Sequence, residues 1–298
     1  MTGFLSYLLK ETFIMTGRDA SLTALVTAYI RAAHQLLDAQ PLILDDPVAV
    51  PLLGADAETQ IRHAVERHQT PEARVLRAHV VLRSRFTEDR LAAAVLRGIS
   101  QYVILGAGFD TFAFRQPQWA KKLKIFEVDH PGTQAMKRSK LAAAGIAIPE
   151  NLIFADVDFE KESLHDGLYR HRISMAEPTF FSWLGVTMYL KEDAIDAVLK
   201  TVAAFPESSE IVLTFIQSPT SLSDAEKKSY ARLVESVASA GEPFVSYFEP
   251  DALEAKLRNL CFSKMIFLSP ADAQAGYFQQ RPNDLPAPAV TNIVAAIR

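Results

Sequence analysis

Apolar residues recur at helical spacing through most of the first hundred positions. Ala20 to Ala39 shows a repeat of three to four, the mark of a helix with one buried side. Pro41 to Leu53 is a proline-rich connection, and Glu72 to Leu96 reads as a long helix. After Gln101 the texture changes to short apolar runs alternating with helical stretches. Strands are expected at 101–105, 123–128, 151–155, 178–183 and 209–216, and helices near 111–119, 132–144, 161–169 and 191–204. Residues 219–250 interrupt the alternation, with an amphipathic helix at Ser223 to Ala240 and a short one at Asp251 to Leu260. Cys261 to Leu268 and Ala289 to Ile297 read as closing strands. Such alternation predicts an α/β, Rossmann-like fold with a mostly parallel sheet and helices on both faces. Residues 1–98 are expected to form a helical N-terminal cap integral to the domain, and 99–298 the α/β part, with 219–250 covering the sheet's carboxyl edge.

The run Gln101 to Phe114, Q-Y-V-I-L-G-A-G-F-D-T-F-A-F, carries the chemistry. Tyr102 to Leu105 is a buried strand that ends directly in Gly106-Ala107-Gly108. Asp110 and Thr111 then offer short polar side chains where a helix would start. Strand, glycine turn and helix start bring a nucleotide-like ligand against bare backbone. A dinucleotide fingerprint wants a third glycine, and here that position is Thr111. The next strand ends in Asp129, 23 residues after Gly106, where a carboxylate accepts from both ribose hydroxyls. Capping of the helix that Pro131 starts is the competing role for Asp129. Asp156 and Asp158 after the third strand share a face, and either suits an adenine amine beside an apolar neighbour. Acidic residues with few phosphate donors suit S-adenosylmethionine better than a dinucleotide.

On the helix 72–96, Arg83 falls inside the apolar half, whereas Arg85 points the opposite way with Arg74, Arg77 and Glu88. A guanidinium on a buried face needs an anion, either a structural carboxylate or that of a ligand.

Together these residues resemble the leucine carboxyl methyltransferase family, a branch of the class I S-adenosylmethionine-dependent methyltransferases. The likeness spans residues 16–215 and rests on Ser21-Leu22-Thr23-Ala24, Asp46-Pro47, Arg83-Ser84-Arg85-Phe86, Leu105 to Thr111, Phe126 to Asp129, Asp158-Phe159 and Gly185 to Leu190. The resemblance implies a seven-stranded, mostly parallel sheet and S-adenosylmethionine as cofactor. It implies that Arg83 holds the methionine carboxylate and that Gly106, with Ala107 and Gly108, packs on the methionine and ribose. It further implies that Asp129 binds the ribose, and that Asp158 and Phe159 hold the adenine. Two cofactor-side positions depart from the family pattern. Leu184 stands where many members have glutamate, and Ala24 where the eukaryotic enzymes have lysine. Both departures point away from a protein C-terminus as acceptor.

Composition narrows the partners. The net charge of −4 and the lack of a basic run speak against nucleic acid. No stretch reaches the roughly 18 to 20 apolar residues of a membrane span. The seven histidines show no metal-ligand spacing, so no metal is expected. The single Cys261 fits a reducing cytoplasm and reads as a core residue. Met15-Thr16-Gly17 echoes Met1-Thr2-Gly3, so residues 1–14 read as an upstream extension. Trp183 and Tyr189 are candidates to line a substrate pocket, though aromatics beside a strand end are often core. The expected activity is methyl transfer to oxygen on a small molecule, foremost a carboxylate, which needs no strong base. The alternatives are an NAD(P)-dependent oxidoreductase and a non-catalytic S-adenosylmethionine-binding protein.

Overall fold

A computed structural model of the chain describes residues 21–158, 161–219, 241–282 and 284–298, with isolated positions 227, 231, 234, 235 and 238. The expected helix 223–240, Phe159 and residues 1–14 therefore lie wholly or mostly outside the described residues. Seven strands form one sheet in the order β3-β2-β1-β4-β5-β7-β6. They are β1 (Gln101–Leu105), β2 (Lys124–Asp129), β3 (Leu152–Asp156), β4 (Thr179–Trp183), β5 (Glu210–Thr214), β6 (Lys264–Phe267) and β7 (Ile293–Ile297). The first five pair in parallel, and β7 runs antiparallel to both of its neighbours.

The helices are α1 (Leu22–Leu37), α2 (Ala49–Leu53), α3 (Ala57–His63), α4 (Val65–His68), α5 (Pro71–Leu96), α6 (Pro131–Ala143), α7 (Leu164–Arg170), α8 (Glu192–Ala203), α9 (Pro250–Asn259) and α10 (Pro270–Ala273). Alternation along the strands splits the core in two. Tyr102, Ile104, Ile125 and Phe180 pack on one side with Ala78, Leu82, Phe86 and Leu91 of α5. Val103, Leu105, Phe181 and Trp183 pack on the other with residues of α7, α8 and α9. α5 starts sharply because Thr70 caps the Ala73 N–H and Pro71 occupies the first turn.

Three expectations are corrected. No α-helix follows the glycine turn; residues 111–119 make two short 3₁₀ turns, Phe112–Phe114 and Gln118–Ala120. Thr111 does not cap a helix but sends its hydroxyl to Asp46 (2.6 Å), and Pro117 disfavours helical backbone just before it. Cys261 is exposed, at a left-handed φ of 66° in the turn that ends α9, whereas its neighbour Phe262 is buried. Arg77 does not share the outward face of Arg85. It is buried and donates to Asp38 through Nε and Nη2, both at 2.7 Å.

Candidate functional site

The glycine turn is shaped by main-chain bonds to the next strand. Gly106 and Ala107 donate to the Val128 carbonyl at 2.8 and 3.1 Å. Gly106 and Gly108 take positive φ values of 65° and 51°, which only glycine adopts without strain. A Cβ on Gly106 would lie 2.5 Å from Val186, and one on Gly108 3.0 Å from Ala24. The turn is thereby clamped between the segment after β4 and the start of α1.

A cavity of about 530 Å³ opens beside it, at the carboxyl ends of β1, β2 and β4. Among the described residues, Gly106, Ala107, Gly108, Asp110, Asp129 and Leu184 line its sheet side. Helix α5 contributes Leu76, His79, Val80 and Arg83, which share one face at helical spacing. Helix α1 contributes Thr23, Ala24, Thr27, Ile30 and Arg31, and the segment 241–245 closes the other side.

Asp129 stands at the tip of β2. Its oxygens accept the Gly108 N–H (2.5 Å) and the His130 N–H (2.7 Å). Burial pushes its carboxyl up against the pull of those two N–H groups. It does not cap α6; the His130 side chain does, accepting from Gly132. Glu127 is buried in an ion pair with Lys137 and stays out of the cavity.

Arg83 makes no hydrogen bond or ion pair through its guanidinium with any described residue. Burial first, and Arg31 second, push it down to about 10. Its guanidinium lies against Gly185 (φ 73°), where a Cβ would meet Nη1 at 2.7 Å. Arg31 is spoken for: it donates to the Phe109 carbonyl and pairs with Asp46 (3.4 Å). Arg85 is exposed and pairs with Asp89.

Asp156 and Asp158 part company. Asp156 is drawn to His171 (3.1 Å) and Arg170 at the end of α7. Asp158 lies beside His130 (3.8 Å), next to Asp129, and pairs with Lys161. It is not among the residues that line the cavity. Trp183 is not either: it is 2 % exposed in the core on the opposite face of β4, which corrects the pocket expectation for it. Tyr189 does line the cavity, its ring 5.4 Å from that of Phe244. Burial pushes its hydroxyl up to about 12, against the neighbouring Thr23 hydroxyl.

The family model for leucine carboxyl methyltransferase matches residues 24–203. This chain belongs to the leucine carboxyl methyltransferase family. It is similar to YktD of Bacillus subtilis, provisionally named an S-adenosyl-L-methionine-dependent methyltransferase, at 31 % identity over 95 % of this chain and 100 % of that protein. A Mycobacterium marinum protein with the same kind of provisional name is 29 % identical over 62 % of this chain and 63 % of its own length. Two solved structures share the fold. A DUF574 family protein of Streptomyces avermitilis aligns with a TM-score of 0.57 at 14 % identity, covering 93 % of this chain and 96 % of that one. A provisionally named methyltransferase of Thermobifida fusca aligns at 0.53 with 18 % identity, covering 83 % and 91 %.

Against the family pattern, both departing positions face the cavity. Ala24 and Leu184 line it from opposite sides, α1 and the end of β4. Among the lining residues that were not picked out from the sequence are His79, Glu242 and, as a ligand contact, Asp110. His79 had a signal, since it stands four residues before Arg83 on the same helical face. Glu242 had none, because its place depends on a long-range contact with Thr23 and the Leu22 N–H.

Proposed function

We propose that this cavity binds S-adenosylmethionine and methylates the carboxylate of a small, largely apolar molecule. The methyltransferase activity and its cofactor follow from membership of the family. The oxidoreductase and non-catalytic alternatives fall with it. The observation that carries the site is Arg83, a half-buried guanidinium with no partner among the described residues, in a cavity at the sheet's carboxyl edge. A buried charge left so is costly unless a ligand completes it. The residues fit the cofactor: Arg83 suits its carboxylate, and the bare Gly106 to Gly108 turn admits close approach. Asp129, held by two N–H groups, keeps lone pairs for the ribose hydroxyls. Asp158, with Phe159 beside it in the chain, is assigned to the adenine end. Leu184 contributes an apolar wall.

The bound cofactor supplies an electrophilic methyl group. The chain's part is to align the acceptor and to keep water out. Ile30, Leu76, Val80, Met188, Phe244 and Val245 give the rest of the cavity an apolar lining. The states of His79 and Tyr189 support a carboxylate acceptor. Burial, with Arg83 beside it, pushes His79 down to about 3, too weak a base to take a hydroxyl proton. Tyr189, pushed up to about 12, stays protonated at neutral pH. A carboxylate is already ionised and needs neither. Tyr189 serves instead as a hydrogen-bond donor in the wall.

Titration calorimetry with S-adenosylhomocysteine tests the cofactor; a folded protein that binds none refutes it. Turnover over matched acids and phenols tests the acceptor. An acid acceptor gives a rate that is flat from pH 6 to 9. A rate climbing with pH on phenols alone would overturn the carboxylate reading.

A further inference from the structure

Asp110 lines the same cavity as Arg83 and carries the opposite charge. It sits at the end of the glycine turn, its N–H closing on the Ala107 carbonyl at 2.8 Å. One carboxylate oxygen, Oδ1, accepts the Phe112 N–H at 2.8 Å. The other has no hydrogen-bond partner among the described residues. Its charge reaches Arg83, where it favours the charged guanidinium. The two groups nevertheless do not pair. Arg83 is wedged against Gly185, and Asp110 is held back by Phe112.

The other charges in the cavity wall are committed. Arg31 is tied to Phe109 and Asp46. Each oxygen of Asp129 accepts one main-chain N–H, and its remaining lone pairs are those assigned above to the ribose hydroxyls. Glu242 accepts from the Leu22 N–H and from Thr23 at the start of α1. What remains among the described lining residues is a guanidinium with no partner and a carboxylate with one free oxygen. Opposite charges that line one cavity without pairing complement a ligand that bears both charges at one end.

We propose that Asp110 and Arg83 form a clamp for an α-amino-acid zwitterion, with Asp110 taking the ammonium and Arg83 the carboxylate. The inference rests on the cofactor reading above, because S-adenosylmethionine ends in such a zwitterion. It adds a residue and a charge to that site. Without Asp110 the cavity would offer the ammonium no uncommitted anion among the described residues. A charge-assisted hydrogen bond in a buried site is among the stronger polar contacts.

The test is calorimetry on the full chain with three probes. S-adenosylhomocysteine carries both charges, its deaminated analogue keeps the carboxylate alone, and 5′-methylthioadenosine lacks both. Asp110→Asn keeps an oxygen for the Phe112 N–H and removes only the charge. It should weaken S-adenosylhomocysteine roughly 10- to 100-fold, the range of a hydrogen bond to a charged group, and leave the other two within about twofold. Arg83→Gln should weaken the first two probes and spare the third. Equal weakening of all three by Asp110→Asn would mean that the residue only shapes the loop, and would overturn the clamp alone. So would an unchanged affinity for S-adenosylhomocysteine. A wild-type protein that binds none of the three would overturn the cofactor reading and the clamp with it.

Discussion

Arg77 and Arg83 lie six residues apart on α5, both turned into the protein, and they meet opposite surroundings. Around Arg77 every direction is answered. Its Nε and Nη2 reach Asp38, and Nη1 reaches the His68 carbonyl at 2.8 Å. Asp38 in turn accepts from His34 (2.7 Å), whose other ring nitrogen accepts the Ile43 N–H. Around Arg83 there is a glycine, a cavity and no anion in contact. The first arrangement is closed and holds α1, α4 and α5 together. The second is open, and only something from outside completes it. Burial of a charge therefore says little until its partner is found; the partner tells structure from function.

Truncation of the closed arrangement should cost most. Arg77→Ala strands Asp38 and should lose about 3–5 kcal/mol in urea unfolding, as removal of one half of a buried pair does. Ligand affinity of the fraction that still folds should be unchanged. Arg83→Ala should do the reverse. It removes an uncompensated charge, so stability holds or rises, while affinity for S-adenosylhomocysteine falls by about 1.5–3 kcal/mol in calorimetry. A loss of stability comparable to that of Arg77→Ala would erase the contrast. Gly185→Ala places a Cβ against the guanidinium in a left-handed conformation. It should cost roughly 1–2 kcal/mol of stability and displace Arg83, weakening binding as well.

Acid should probe the closed side next. Burial, and the Arg77 charge after it, push His68 down to about 4 from its ordinary 6.5. The unfolded chain then takes up the proton first, so stability falls as pH drops from 6.5 to about 4. His68→Gln should remove roughly half of that limb of an unfolding series and leave the part due to His79, which is pushed down further, to about 3. Asp38 acts lower still. Burial raises its carboxyl, but His34 and Arg77 outweigh burial and hold it below 3.8. Its contribution is present above that value and is lost as pH falls below it. Arg85→Ala should do least, within about 0.5 kcal/mol and without effect on binding, because its pair with Asp89 is exposed.

The strands, the glycine turn and Asp129 at its strand tip were legible because local pattern decides them. A buried strand reads as an apolar run, and a turn that needs positive φ reads as glycine. Arg83 was legible because one face of α5 carries the signal on its own. Arg77 was not. A single apolar stripe presumes one buried side, and α5 is packed between the sheet on one flank and α1 and α4 on another. Val75 departs the other way, an apolar residue of the same helix that is exposed. Trp183 could have been read better. Ser182 and Leu184 line the cavity, so the residue between them must face away from it. The missing helix after the turn was hidden by Asp46, a partner 65 residues upstream that takes the Thr111 hydroxyl.

The roof of the cavity is fastened unequally. On the sheet side Val245 donates to the Met188 carbonyl (2.8 Å), Ser246 to that of Leu190 and Phe248 to that of Ile216 (2.9 Å). On the helix side the fastening is Glu242, half-exposed, seated on the first turn of α1. One edge is thus held by two main-chain N–H groups and the Ser246 hydroxyl on main-chain carbonyls, and the other by a carboxylate on a helix dipole, which salt screens. The weaker fastening is therefore at Glu242, and added salt should loosen that edge before the other. Ionic strength should thus act on one side of the cavity separately from anything that touches the chemistry inside.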